Sequence, residues 1–258
     1  MKNLTVIIPL LEDFDRTNLL KCVRTIKTQS SPPSSIVLAM SEKVNDEGNY
    51  SLSMKEVIEE NSITVEKAVY RNLENPTTQD LINYGVSTID TKFFMPMEHD
   101  EGILGTTWLQ NVERYMSKYD YAIYLPLVKV IDSNGLLHSF RNEQYFAYGF
   151  TDNELGVVTE DSLKQLFEMN LTGSVIDREV YQSVGGLKNN IKHRWYWYEF
   201  ILRVCYNKFI PFVIPKSLYA VPLKDLTNIS NEEYHFYYET AQQEYYFKNQ
   251  RDIEYKTK

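Results

Sequence analysis

The stretch KFFMPMEHDEGILGTTWLQ sets Glu98, His99, Asp100 and Glu101 directly behind an apolar run and directly ahead of residues that read as a helix start. Carboxylates this close repel one another unless a cation, water or a partner stands between them. A bound divalent cation is therefore favoured over a bare solvated loop. The competing reading is a helix start, with the acids placed to favour the dipole of the helix containing Trp108 and Leu109. Elsewhere Glu199 and Arg203 stand four apart, the spacing of an ion pair on one helix face. The run WYWY at 195–198 offers flat faces that could stack on a ligand, but adjacent helical aromatics point several ways and mostly fill a core.

The elements that would position these residues alternate. LTVIIPL at 4–10 is a continuous apolar, β-branched run, as expected of a strand buried on both faces. Residues 15–29 carry Leu19, Leu20, Val23 and Ile26 at helical spacing, with Asp15 or Thr17 to cap them. Strands are predicted at 35–40, 63–70 and 92–97, and helices at 53–61 and 75–89. Strand and helix in turn specify a parallel α/β sheet with helices on its faces. Ligands bind such sheets outside the carboxyl ends of the strands, which is where the acidic cluster falls. The second half reads differently: a hairpin over 119–140 around Ser133-Asn134-Gly135, a helix at 160–170, and a strand and helix over 173–187 that stop at Gly185-Gly186. An apolar helix at 195–207, a last strand at 209–215 and an aromatic helix at 231–250 complete the order. The expected division is a main unit over 1–220, in two unequal halves, and a helical extension over 221–258 that could pair two copies of the chain.

Composition narrows the function. At 258 residues the chain can bury a substantial core, and 43% hydrophobic with 24% charged residues is ordinary globular usage. A formal net charge of −8 argues against nonspecific nucleic-acid binding, which needs a basic face. Two distant cysteines, Cys22 and Cys205, fit small buried residues in a reducing compartment. No apolar run is long enough for a secretory signal or a membrane span, so a cytoplasmic protein without a membrane anchor is expected. Walker loops, dinucleotide fingerprints, zinc spacings and nucleophile elbows do not occur.

Taken in order, the elements over about residues 3 to 220 resemble the family 2 glycosyltransferases of the GT-A fold. LTVIIPL followed by LLKCVRTIKTQ is similar to that family's first strand and a helix ending near Gln. Asn83 and Gly85 match its Asn-x-Gly helix, Glu98-His99-Asp100 its Asp-x-Asp motif, and Gly173, Arg178, Glu179, Gly185 and Gly186 its acceptor-side segment. The resemblance implies an α/β GT-A-type nucleotide-binding sheet flanked by helices, with a mixed, partly antiparallel acceptor-side half. It also implies transfer of a sugar from a nucleotide sugar, a uridine diphosphate sugar by default, to an acceptor hydroxyl with Mn²⁺ or Mg²⁺. Asp100 would be the main metal ligand, and Glu98 would reach the ribose or, through water, the ion. His99 would be a spacer, or a further ligand since imidazole tolerates Mn²⁺, and Glu101 would orient water or face solvent. Pro9, Leu10, Glu12, Asn83 and Glu98 would line the donor site, and Gly173 with Trp195 or Trp197 the acceptor cleft.

The chain also departs from the family's pattern. The acidic pair expected before the last helix falls on Tyr196 and Trp197, which leaves Glu199 as the nearest candidate base. Ala39, Met40 and Ser41 replace the acidic pair after the second strand, with Glu42 nearest, and Ile82 stands where Arg is frequent. Acceptors compatible with this reading are a glycan or a hydroxylated base in DNA, the latter through the basic group Lys188, Lys192, His193 and Arg194. The alternative is a GT-A-fold binding or scaffold subunit that has lost transfer activity. A related nucleotidyltransferase would need a Gly-rich basic first loop, which the chain lacks.

Overall fold

The computed structural model describes residues 1–46, 63–72, 75–141, 171–191 and 195–223. The helices expected at 53–61, 160–170 and 231–250, and Lys192, His193 and Arg194, lie outside the described residues.

The apolar run at the start forms β1 (Leu4–Leu10), buried along its whole length. Beside it lie β2 (Ser35–Ser41), β3 (Thr64–Tyr70) and β4 (Phe93–Pro96), all parallel in the order β3-β2-β1-β4. The sheet continues through β8 (Val175–Asp177), β6 (Ile123–Ile131), β9 (Pro211–Pro222) and β5 (Gly102–Leu104), while β7 (Leu137–Arg141) pairs with β6 as the expected hairpin. Here the pairing turns mixed: β8 is antiparallel to both β4 and β6, β6 and β9 are parallel, and β5 is antiparallel to β9. Half parallel and half mixed is the architecture expected.

Period-2 side-chain alternation divides the core between the two faces. Ile7, Val37, Phe94 and Ile176 face α3 (Thr78–Ser87), α5 (Arg178–Ser183) and α6 (Trp195–Tyr206). Val6, Ile8, Leu38 and Met95 face α1 (Arg16–Lys27) and α4 (Trp108–Met116). The caps are local and follow from the sequence. Asp15 accepts from the Asn18 amide at 2.7 Å to start α1, and Thr77 with Asp80 closes a capping box on α3. Gly85 sits mid-helix because α3 lies close on β1: a Cβ there would come within 2.7 Å of Ile7 Cγ2.

Some elements differ from expectation. A short helix, α2 (Glu42–Asp46), follows β2 directly, and β5 inserts between the acidic cluster and α4. The acids therefore do not begin a helix, and the dipole reading is corrected. Strand β9 runs past Pro215 to Pro222, across the expected boundary at 220, because the register with β6 shifts between Leu125 and Leu127. Such an irregularity absorbs a proline that would otherwise interrupt the ladder. No helix among the described residues is long and apolar enough to cross a membrane.

Candidate functional site

β4 ends at Pro96, and the chain turns through Met97 to Glu101 at the carboxyl edge of the parallel strands. Met97 N–H still donates to Ile7 of β1 at 3.0 Å, so the turn starts in register with two buried strands. The loop after β1 meets it from the side, where Phe14 sets its ring edge-on to His99 with centroids 6.3 Å apart. Glu98, His99 and Asp100 are half-buried there.

Glu101 is placed otherwise than the sequence suggested. It is 3% exposed, so it neither faces solvent nor orients bulk water. Its Oε2 accepts from the Glu98 amide at 3.0 Å and from the Tyr219 hydroxyl at 2.8 Å, and its Oε1 from Thr172 Oγ1 at 3.1 Å. The Glu101 amide returns a bond to the Glu98 carbonyl at 3.1 Å, which closes the turn. Cys22 Sγ, reaching from α1, donates to the same carbonyl at 3.5 Å. Burial pushes that thiol's pKa well up, and the nearby Glu101 and Asp100 carboxylates add to the effect.

The same face of α1 holds the chain that follows. Thr25 Oγ1 accepts from Ile103 N–H at 3.1 Å. Gln29 Nε2 donates to the Gly105 carbonyl at 2.8 Å, and its Oε1 accepts from Leu109 N–H at 3.4 Å. Thr107 at the head of α4 makes no side-chain cap, and Gln29, just past the C-cap of α1, supplies a partner from there.

The described residues contain no group of three or more His, Cys, Asp or Glu side chains arranged to hold a metal ion. A diphosphate-bound cation does not need one, because it takes one or two carboxylates and completes its shell with phosphates and water. Glu98 and Asp100 fit that requirement. Oδ1 of Asp100 is buried within the protein.

The remaining expected donor residues divide. Pro9 and Leu10 are buried ladder residues opposite Ala39 and Met40, leaving only main chain to meet a ligand at the end of β1. Glu12 is exposed and 2.7 Å from Lys43, and Glu42 at the head of α2 is 3.5 Å from Arg71, both loose surface ion pairs. Asn83 requires a correction. Its Oδ1 accepts from Leu187 N–H at 2.9 Å and from the Tyr181 hydroxyl at 2.6 Å, while its Nδ2 donates to the Leu187 carbonyl at 2.9 Å and to Asn189 Oδ1 at 3.4 Å. The amide's two donors and two acceptor positions are thereby taken within the protein, so Asn83 fastens α3 to the loop after α5 instead of holding a donor.

On the acceptor side Gly173 is buried at φ +76°, where a Cβ would come within 2.4 Å of the Tyr219 ring. Its carbonyl accepts from Trp108 Nε1 at 3.0 Å and its amide donates to the Pro96 carbonyl at 2.7 Å. Gly173 is thus a close-packing residue behind the acidic turn. Trp197 is fully buried in the core and cannot line a cleft, whereas Trp195 is half-exposed. Glu199 is buried and receives Arg203 Nε at 2.8 Å and Nη2 at 2.6 Å, with Lys188 Nζ at 2.9 Å. Arg203 goes on to the carbonyls of Val184 and Gly186, so this cluster braces the Gly185-Gly186 turn.

No known family model matches the chain, and no curated protein matches it in sequence. Solved structures do. TarS 1-349 of S. aureus aligns with a TM-score of 0.66 at 13% identity, over 95% of this chain and 65% of that one. The same protein in complex with UDP-GlcNAc aligns at 0.66 and 13%, over 95% of this chain and 66% of the other. The mannosyltransferase PcManGT from Pyrobaculum calidifontis, in complex with GDP-Man and Mn²⁺, aligns at 0.61 and 10%, over 87% of this chain and 58% of that one. The chain thus spans just under two thirds of TarS 1-349 and less of the mannosyltransferase. At such identities the likeness is one of fold, and the fold is the GT-A type the sequence resembled.

Proposed function

We propose that the protein is a metal-dependent glycosyltransferase that moves a sugar from a nucleotide-sugar donor to a hydroxyl of an acceptor glycan. The observation that carries this reading is the Glu98–Asp100 turn at the carboxyl edge of β1 and β4, on a fold shared with proteins solved with UDP-GlcNAc and with GDP-Man and Mn²⁺.

Asp100, with Glu98 beside it, would hold Mn²⁺ or Mg²⁺. Such an ion supplies Lewis-acid charge that stabilises the departing diphosphate. The chain's own part is to hold these carboxylates in place: β4 delivers the turn, Glu101 and Cys22 tie it down, and Phe14 covers His99. Main chain at the end of β1 would meet the nucleotide, since the side chains of Pro9 and Leu10 are turned into the sheet. Trp195, half-exposed, would be the aromatic that faces an acceptor sugar. We assign Glu199 to bracing the Gly185-Gly186 turn and not to proton abstraction, because a base would first have to leave two cations.

The test is donor turnover. With Mn²⁺, the protein should release nucleoside diphosphate from UDP-GlcNAc or GDP-mannose, faster when candidate glycan acceptors are added and not at all in Asp100→Ala. Nucleotide binding without any release, across donors and acceptors, would instead identify a binding protein that has kept the fold.

A further inference from the structure

Glu101 ties the acidic turn down from a position that is itself buried. Glu101 adjoins Asp100, and the turn could be covered by an apolar residue at that position without the cost of burying a carboxylate. We propose that Glu101, oriented by Tyr219 and Thr172, is a positioning residue that sets the geometry and charge of the Glu98–Asp100 turn for its cation. This inference rests on the functional reading above and extends it to residues that touch neither metal nor nucleotide.

Two features of the structure support it. The first is geometric. The Glu98 amide donates to Glu101 Oε2 at 3.0 Å while the Glu101 amide donates to the Glu98 carbonyl at 3.1 Å, so the turn is closed from both ends. The carboxylate that closes it is itself fixed by Tyr219 at 2.8 Å and Thr172 at 3.1 Å. Tyr219 has little freedom to move. It stands opposite Ile103 in the β5–β9 ladder, and its ring lies on Gly173, where even a Cβ would come within 2.4 Å. Gly173 in turn is pinned by Trp108 at 3.0 Å. The hydroxyl is thus presented to Glu101 by a packed scaffold, the usual means of holding a binding group in place from behind. Burial keeps the phenol's pKa well above its ordinary value, so it remains a donor.

The second feature is charge. The Glu101 carboxyl accepts from three donors, the Glu98 amide, Thr172 and Tyr219, and a negative charge there, behind Asp100, would be relieved by a divalent cation at the turn, which would favour the loaded state. Geometry and charge can be separated by substitution. Tyr219→Phe keeps the ring on Gly173 and the carboxylate's charge but removes the bond that orients it, whereas Glu101→Gln keeps the shape and removes the charge.

The experiment measures the affinity of UDP and GDP by calorimetry, with and without Mn²⁺, for the wild type, Tyr219→Phe, Thr172→Val, Glu101→Gln and a control. The control is Ile36→Val, a buried change at the start of β2, away from the turn. We expect Mn²⁺-dependent affinity to fall by about tenfold in Tyr219→Phe and by more in Glu101→Gln. Affinity without the metal, and the control in both conditions, should stay at wild-type values. A purely structural role would lower the unfolding temperature of the variants and leave their affinities with the control, and that result overturns the proposal. If Glu101→Gln does not fold, Tyr219→Phe and Thr172→Val decide alone. Wild-type protein that binds neither nucleotide in the presence of Mn²⁺ would remove the functional reading and this inference with it, whereas wild-type binding with unaffected variants would remove the inference only.

Discussion

Asn83 and Gly173 show how residues that read as parts of a ligand site can be committed elsewhere. The amide of Asn83 is saturated by Leu187, Tyr181 and Asn189, and truncating it would take a partner from the Leu187 carbonyl and from the Tyr181 hydroxyl, while the Leu187 amide keeps Tyr181 at 3.2 Å. Asn83→Ala should therefore cost about 1–3 kcal/mol in urea unfolding while nucleotide affinity stays unchanged; a donor-binding role would give the reverse pattern. Gly173 combines φ +76° with the Tyr219 ring against its α-carbon. Gly173→Ala should lose at least about 2 kcal/mol of stability, from the left-handed backbone and the forced displacement of the ring, measured by thermal or urea unfolding. An unchanged midpoint would mean that the segment relaxes freely. Neither role was legible in the sequence, because both partners come from chain more than forty residues away, and a side chain's spacing says nothing about such partners. The acids at 98–101 were legible as a cluster at a strand end, but their division into a presented pair and a buried brace was not.

At the scale of elements, periodicity gave the order well. The continuous apolar runs of β1 and β2 and the capped, amphipathic α1 and α3 appear where the side-chain spacing puts them. β5 escaped notice because three residues carry no pattern, and β9 was cut short at Pro215 because its register shift against β6 is a property of the pair of strands. Helix α1 does more than fill the core. Cys22 and Thr25 on one face of the helix, and Gln29 just past its C-cap, hold the Glu98 carbonyl, Ile103 and the start of α4 in succession. Helix α6 is buried nearly all round, which explains why its aromatic run serves mostly as core. Its buried ion pair is the brace formed by Glu199 and Arg203, which Lys188 joins from outside the helix. Glu199→Ala should strand Arg203 without a counter-charge and destabilise the protein by about 3–5 kcal/mol. A small stability loss accompanied by complete loss of turnover would restore Glu199 as the base.

At the scale of the whole molecule, one sheet carries a parallel half and a mixed half, and the buried network of Glu101, Thr172 and Tyr219 joins them behind the turn. Buried phenols give the fold a definite alkaline limit. Burial pushes Tyr124 up to about 12, opposed in part by its hydrogen bond to the Tyr121 backbone, and pushes Tyr181 and Tyr219 up as well. An unfolded phenol titrates near about pH 10. Because the folded values are raised, the stabilisation is complete below about pH 10 and is lost as the pH climbs toward about 12. The urea midpoint should accordingly be flat below about pH 9.5 and fall above pH 10 or so; a flat profile to about pH 11.5 would contradict the burial of these rings.

The central claim is that the Glu98–Asp100 turn binds a divalent cation against a nucleotide diphosphate, and calorimetric titration tests it most directly. Wild type and Asp100→Ala are titrated with UDP and with GDP, each with and without Mn²⁺. The account predicts that one of the nucleotides binds tightly only when Mn²⁺ is present, and that a folded Asp100→Ala loses at least about tenfold of that affinity. Affinity that is the same with and without Mn²⁺, or a substituted protein that binds as tightly as the wild type, would contradict it.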